Sequence, residues 1–433
     1  MKSEILKLRK NKFVRNVMII ATGTAAAQII NIILTPIITR LYGPSAFGLL
    51  GVFNAIVGII APIAALTYPF GIVLPKKDKD AIGLVRLSIY ITIGMATFIA
   101  LILFLFKQPI VQLFKIEDVA PFLYLIPIVI LLSGFLQVFE QWLIRIKEFG
   151  VTAKVSILHA LILQGSKVGI GIIHPVATIL IIISAFGNGL KALMIIIFIK
   201  RTENKLVNKI HQEQVSIKEI SKKYKDFPLY TAPQVFIDAL TQSIPVLMLS
   251  SFFGPASVGF YSIGRTVLGI PSNLIGKSVG DVFYPRITEA ANSGENLTDL
   301  IKRATFALGA IGLIPYGILI AFGPWLFSFI FGEEWLQAGE YARWLALWIF
   351  FMFINQPSVR ALPVLSAQAF HLKFTIFSLL IRTVFLAIGY YLFDSDLVSI
   401  ALFAGSGAVL SFSLILITLR ISKIFDNRTS IKN

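Results

Sequence analysis

The chain has no cysteine, four histidines and few acids: 22 Asp+Glu against 39 Lys+Arg in 433 residues. Without cysteine there is no disulfide framework, no thiolate nucleophile and no Cys-ligated zinc or iron–sulfur site. His159, His174, His211 and His371 are not spaced as a metal pair. No GxxxxGK loop followed by Ser or Thr is present, so no ATP motor of that kind is expected. The Asp-x-Asp at Asp78–Asp80 sits in a Lys-Lys-Asp-Lys-Asp run, which reads as a solvated charge cluster after a helix. Charged residues are only 14% of the chain, against about one-quarter in an ordinary soluble domain. No catalytic constellation, metal site or cofactor is expected.

What is abundant is apolar sequence: 56% hydrophobic residues and a mean hydropathy of +0.83. A net charge of +17 would suit nucleic acid in a soluble protein. Here little chain is left outside a membrane to hold it, and no nucleic-acid partner is expected. A spanning helix needs about 20 mostly apolar residues. Twelve stretches qualify: 14–40, 46–74, 83–106, 119–144, 151–173, 176–199, 228–253, 257–284, 304–331, 340–365, 371–392 and 397–420. The basic start and the Ala25–Ala27 stretch resemble a signal peptide, but the apolar run continues to Ile38, so a retained first span is expected.

Loop charge sets orientation. With the N-terminus in the cytoplasm, 27 Lys/Arg fall in inside segments and four (Arg40, Lys107, Lys115, Arg343) outside. An even span number with both termini cytoplasmic follows, and most of the +17 is a topology signal.

The longest polar stretch lies mid-chain, at 200–227. Either side of it a short pattern repeats: Tyr42-Gly-Pro-Ser-Ala-Phe-Gly48 and Phe253-Gly-Pro-Ala-Ser-Val-Gly259, with both glycines and the proline offset by 211. The expected fold is an all-α polytopic membrane protein, twelve transmembrane helices in two pseudo-symmetric six-helix lobes. The lobes are residues 1–199 and 228–420, with a cytoplasmic linker at 200–227 and a tail at 421–433. A parallel repeat puts the substrate path between the halves.

Polar residues form stripes within the spans. Thr24, Gln28, Asn31 and Thr35 share one face of span one; Gln234, Asp238, Thr241 and Gln242 share one of span seven. Such faces line a cavity or supply interhelical hydrogen bonds. Eight basic residues fall within spans, against the acids Glu140, Asp238 and Asp281. Arg86 and Lys154 are near the cytoplasmic face and snorkel. Lys191 is about eight residues from that face. Lys167, Arg265, Arg360 and Arg382 are deeper, and Lys277 precedes Asp281 by one turn, where the two can pair. Glu140 either pairs with Arg145 or Lys147 or has a functional role. Asp238 and Asp281 are counter-ions or ion-coupling sites; His159 is a hydrogen-bonded core group or a proton relay. The excess of basic residues would make a shared cavity positive, which suits an anionic substrate group and opposes a drug cation.

The run Arg40-Leu-Tyr-Gly-Pro-Ser-Ala-Phe-Gly48 and the following Tyr68-Pro-Phe-Gly-Ile-Val-Leu-Pro75 resemble the start of Wzx-type polysaccharide flippases. So do Gly254-Pro-Ala-Ser-Val-Gly-Phe-Tyr261, Phe283-Tyr-Pro-Arg286, and Phe331-Gly-Glu-Glu-Trp335 with Ala338-Gly339. The wider group includes multidrug exporters of the MATE type and lipid II flippases. The resemblance implies a MATE-like fold of two six-helix lobes with alternating access. It also implies transport of an undecaprenyl-pyrophosphate-linked oligosaccharide of the O-antigen or capsule kind across the bacterial cytoplasmic membrane. The lipid tail would stay among membrane lipids, and a polymerase and chain-length protein of the same pathway would be partners. Proton-coupled MATE exporters commonly carry a carboxylate in span one, where this chain has Gln28 and Asn31. Lipid II flippases usually have fourteen spans. The expected substrate set is Arg265, Lys277, Arg360, Arg382, Lys167 and Lys191. Gln28, Asn31, Gln234 and Gln242 would meet sugar hydroxyls, and Asp238, Asp281, His159 or Glu140 would couple an ion. The alternative is a small-molecule exporter of the same fold.

Overall fold

A computed structural model describes residues 12–201, 215–272 and 277–430; the side chains of 12–17, 20, 200–201, 277–282 and 428–430 lie outside that description. In chain order the helices are α1 (Lys12–Ile60), α2 (Asp78–Phe114), α3 (Ile126–Arg145), α4 (Phe149–Ile173), α5 (Ala177–Arg201), α6 (Ile217–Lys223) and α7 (Ala232–Phe253). Then come α8 (Pro255–Pro271), α9 (Lys277–Asn292), α10 (Leu297–Phe331), α11 (Leu336–Ile354), α12 (Gln356–Ala361), α13 (Gln368–Phe393) and α14 (Asp396–Ser430). No strand occurs among the described residues. Helices suit a bilayer, because a helix satisfies its backbone hydrogen bonds internally.

Among the described residues nine helical segments are long and apolar enough to cross a membrane. The difference from twelve has local causes. The first two expected spans form one run, α1, broken only at Gly43. The second part of α1 ends at Ile60, and 3-10 turns over Ala61–Ile63 and Tyr68–Val73 replace the rest of the expected 46–74 span. The expected 257–284 span includes residues 273–276, which lie outside the described residues, and α8 is described over 17 residues, Pro255–Pro271. The 340–365 span is divided at Asn355 between α11 and α12, and α11 carries Glu340 and Arg343 in its first half. Large apolar side chains are left outside, as suits a lipid surround: Phe104 is 79% exposed and Phe306 77%.

The repeat is also present in the backbone. Gly43 has φ 69° and ψ 172°; Gly254 has φ 82° and ψ −178°. This region is essentially open to glycine alone. Each glycine precedes a proline that starts the next helix, Pro44 and Pro255, where a missing N–H costs nothing. The matching sequence therefore encodes the same sharp corner twice.

The chain divides into two compact units, Met1–Ser251 and Phe252–Asn433. In the first, α1 packs along α4, and α3 packs on α2 and α5. An apolar core includes Ile72, Leu84, Val138, Leu143, Val155, Ile195 and Ile220. Ile220 belongs to α6, so the described end of the linker is fastened to this unit. Lys223 Nζ bonds Asp80 Oδ2 at 2.7 Å and the Tyr68 hydroxyl donates to the Ser221 carbonyl. In the second unit α10 and α11 lie together, and α14 packs on α11 and α13. Close approach is set by small residues: a Cβ on Gly339 would sit 2.4 Å from the Cα of Pro324. This explains the Ala338-Gly339 pair. Trp335, three residues earlier, is 1% exposed and seals the turn between α10 and α11.

Candidate functional site

In the first unit the polar face of α1 meets α4. Gln164 Nε2 donates to Asn31 Oδ1 at 2.9 Å, and the Thr35 hydroxyl donates to the Asn31 carbonyl at 2.6 Å. The Tyr42 hydroxyl donates to the Lys167 carbonyl at 2.8 Å. Asn31 thus joins two helices. Gln28, one turn away and half-buried, makes no hydrogen bond among the described residues. The Lys167 ammonium lies one turn beyond Gln164 and has no carboxylate partner among them. An amide on α1 and an ammonium on α4 are therefore left with capacity to bind.

Several other ionisable groups of this unit are held by neighbouring groups. Lys191 Nζ donates to Glu140 Oε1 at 2.6 Å, joining α5 to α3. Neither neighbour offered by the sequence, Arg145 or Lys147, takes that carboxylate. Arg145 instead binds the carbonyls of Ile72 and Pro75 and the carboxylate of Asp78 at 2.9 Å. His159 Nε2 lies 3.0 Å from the Gly187 carbonyl, a hydrogen bond between α4 and α5. Asn188 donates to the Ser133 hydroxyl at 2.8 Å. Gln234, Asp238 and Gln242 are exposed along α7, and Asp238 and Gln242 are each engaged by a neighbour.

In the second unit Arg265 is half-buried on α8 and engaged by a neighbour. Arg360 is exposed in the last turn of α12 and makes no ion pair among the described residues. Arg382 on α13 is enclosed. Its guanidinium carbon lies 3.7 Å from the ring centre of Trp348 and 4.0 Å from that of Phe403. The side chains of Lys277 and Asp281 lie outside the described residues. The structure thus separates the expected cations: one is neutralised by a carboxylate, one is held among rings, and Lys167 and Arg360 stand without an acid.

Residues 37–340 match the profile of a family described as "Polysaccharide biosynthesis protein". The succinoglycan biosynthesis transport protein ExoT of Rhizobium meliloti (strain 1021) is 21% identical over 335 residues. That match covers 75% of this chain and 63% of the relative, so the chain spans less than two thirds of that protein's length. Among solved structures, an inward-facing multidrug resistance MATE family transporter of the MOP superfamily aligns with a TM-score of 0.73. It is 15% identical, over 94% of this chain and 98% of that one. The lipid II flippase MurJ, in an inward closed conformation, aligns at 0.69 and 14% identity over 96% and 91%. At these identities the two structures speak to fold, which is the MATE-like one expected. All three names describe transport proteins. It belongs to the polysaccharide biosynthesis protein family, as a multi-pass membrane protein on the fold of MATE transporters and MurJ.

Proposed function

We propose that the protein moves an undecaprenyl-pyrophosphate-linked oligosaccharide, a repeat unit of O-antigen, capsule or a related polymer, across the bacterial cytoplasmic membrane by alternating access. The observation that carries this reading is Lys167, a cation within the membrane-spanning helix α4 that has no carboxylate partner among the described residues. Charge inside a bilayer is costly and kept where it works. Arg360, on α12 outside the nine spans, likewise makes no ion pair among the described residues. Arginine and lysine suit a pyrophosphate or an acidic sugar. Gln28 and Asn31, with Gln234 and Gln242, offer amides to sugar hydroxyls. Direct contact with the anionic group falls to Lys167, Arg265 and Arg360, with Lys277; Lys191 is already satisfied by Glu140 and Arg382 is covered by its rings. Asp238 and Asp281 remain the candidates for ion coupling, ahead of the bonded His159 and Glu140.

Both termini lie in the cytoplasm, as the Lys/Arg bias of the loops directs. The polymerase and chain-length proteins that act on the delivered unit would be its neighbours. In a strain lacking the gene, the lipid-linked repeat unit accumulates and surface polymer is lost. A strain with normal polymer and a changed drug-sensitivity profile would instead favour the small-molecule exporter.

A further inference from the structure

In the second unit a buried cation sits among groups that give hydrogen bonds and has nothing to receive them. Arg382 is 9% exposed. The rings of Trp348 and Phe403 meet edge to face at 79°, and the guanidinium occupies the corner between them. Cation–π contact offsets part of the charge but accepts no N–H in the guanidinium plane. Arg382 Nε is buried without a hydrogen bond, and no acceptor meets its other nitrogens among the described residues. The Tyr261 hydroxyl, on a residue 1% exposed, is also buried without a partner. Its ring touches Phe403 at 6.5 Å, and both Tyr261 and Arg265 are near enough to act on Arg382 electrostatically. Ser378, one turn before Arg382, has a third buried and unpartnered hydroxyl.

A guanidinium is donor-only, with five N–H groups. Buried donors are nearly always satisfied in folded proteins, and a buried charge without a counter-charge is costly. The missing component is an acceptor carrying negative charge. We propose that Arg382 and Tyr261 form a site for a small monovalent inorganic anion of the halide class, inside the second unit. With the Trp348 and Phe403 rings this close to the guanidinium carbon, a small anion fits better than a bulky pyrophosphate. One enclosed formal charge matches one anionic charge. The bound anion would also relieve the repulsion between Arg382 and Arg265.

The test uses the full chain purified in detergent, without substrate, with bromide as the probe. Thermal unfolding is followed in bromide and in gluconate at equal ionic strength. Quenching by bromide is followed in a variant retaining Trp348 as the sole tryptophan of the five. The expected result is a bromide-specific rise in midpoint and a saturable quenching of Trp348. Both weaken about three- to tenfold in affinity in Tyr261→Phe, which loses one hydroxyl, and vanish in Arg382→Gln. If Arg382→Gln fails to fold, Tyr261→Phe decides alone, and an unchanged bromide affinity there overturns the proposal. Equal midpoints in bromide and gluconate, or quenching that never saturates, overturn it as well, leaving water as the acceptor. None of these outcomes depends on whether the protein is a flippase.

Discussion

Lys191 and Glu140 form a 2.6 Å ion pair between α5 and α3, two helices whose partners in sequence are 51 residues apart. The side chains are 24% and 35% exposed, so the pair is neither dry nor fully solvated. Removing one member strands the other in a partly apolar setting, whereas removing both does not. Glu140→Gln and Lys191→Met should each lower stability by about 1–2 kcal/mol, a value reduced from buried pairs because of the exposure. The double variant should lose less than the sum of the two. Thermal unfolding of the three purified variants checks this, and additive losses would mean the pair contributes no coupling. Surface polymer should persist in all three if Lys191 is structural.

The cations proposed to meet the substrate should behave differently. Arg360→Ala removes a charge that no described acid compensates, and Arg265→Ala removes one from the half-buried part of α8. Surface polymer should fall at least about tenfold in each, since a charge-assisted contact is worth more than the 1.4 kcal/mol of one decade. The amount of membrane-inserted protein should be unchanged. Normal polymer in both variants would remove these residues from the substrate path.

The repeated corner makes a prediction about stability alone. A Cβ at position 254 would meet no atom within 4 Å, so Gly254→Ala isolates backbone strain from crowding. With φ at 82° and ψ at −178°, the variant should lose about 1–3 kcal/mol. Unfolding of Gly254→Ala in detergent tests this, and a loss near zero would show that the corner relaxes.

The linker contact should depend on acid. The Lys223 hydrogen bond holds the Asp80 carboxyl below its ordinary range, and the same bond raises Lys223. A lowered carboxyl stabilises the folded contact above its unfolded value and loses that effect as pH falls through the folded one. A raised lysine gives the mirror case, lost only as pH climbs through its raised value. Amide protection over Ile217–Lys223 should therefore hold between about pH 7 and about pH 5 and fall in stronger acid. Asp80→Asn should show the low-pH protection already at neutral pH. Equal protection in both proteins at neutral pH would show that buried Ile220 holds α6 alone.

Local pattern carried the spans, the two Gly-Pro corners and the polar stripes, because each is a matter of spacing along one helix. The choice of partner was not local. Glu140 had two basic neighbours within seven residues, yet its partner is Lys191 on another helix. Arg382 read as a deep cation like Arg360, and nothing in its own helix announces Trp348 or Phe403, which are 34 and 21 residues away. Helix packing decides which charges meet acids, which meet rings and which stay open. The divided span at Asn355 shows the same limit, since hydropathy reads through a break that the backbone does not.

The central claim concerns direction across the bilayer. The decisive measurement is the fraction of lipid-linked repeat unit reachable from the outer face in cells that lack the polymerase, with and without this protein. An impermeant sugar oxidant or lectin reads it. Transport by this chain predicts a large reachable fraction with the wild type and an inner-leaflet store without it. It predicts the same store with Arg360→Ala at normal protein level. Equal reachable fractions with and without the protein would contradict a flippase.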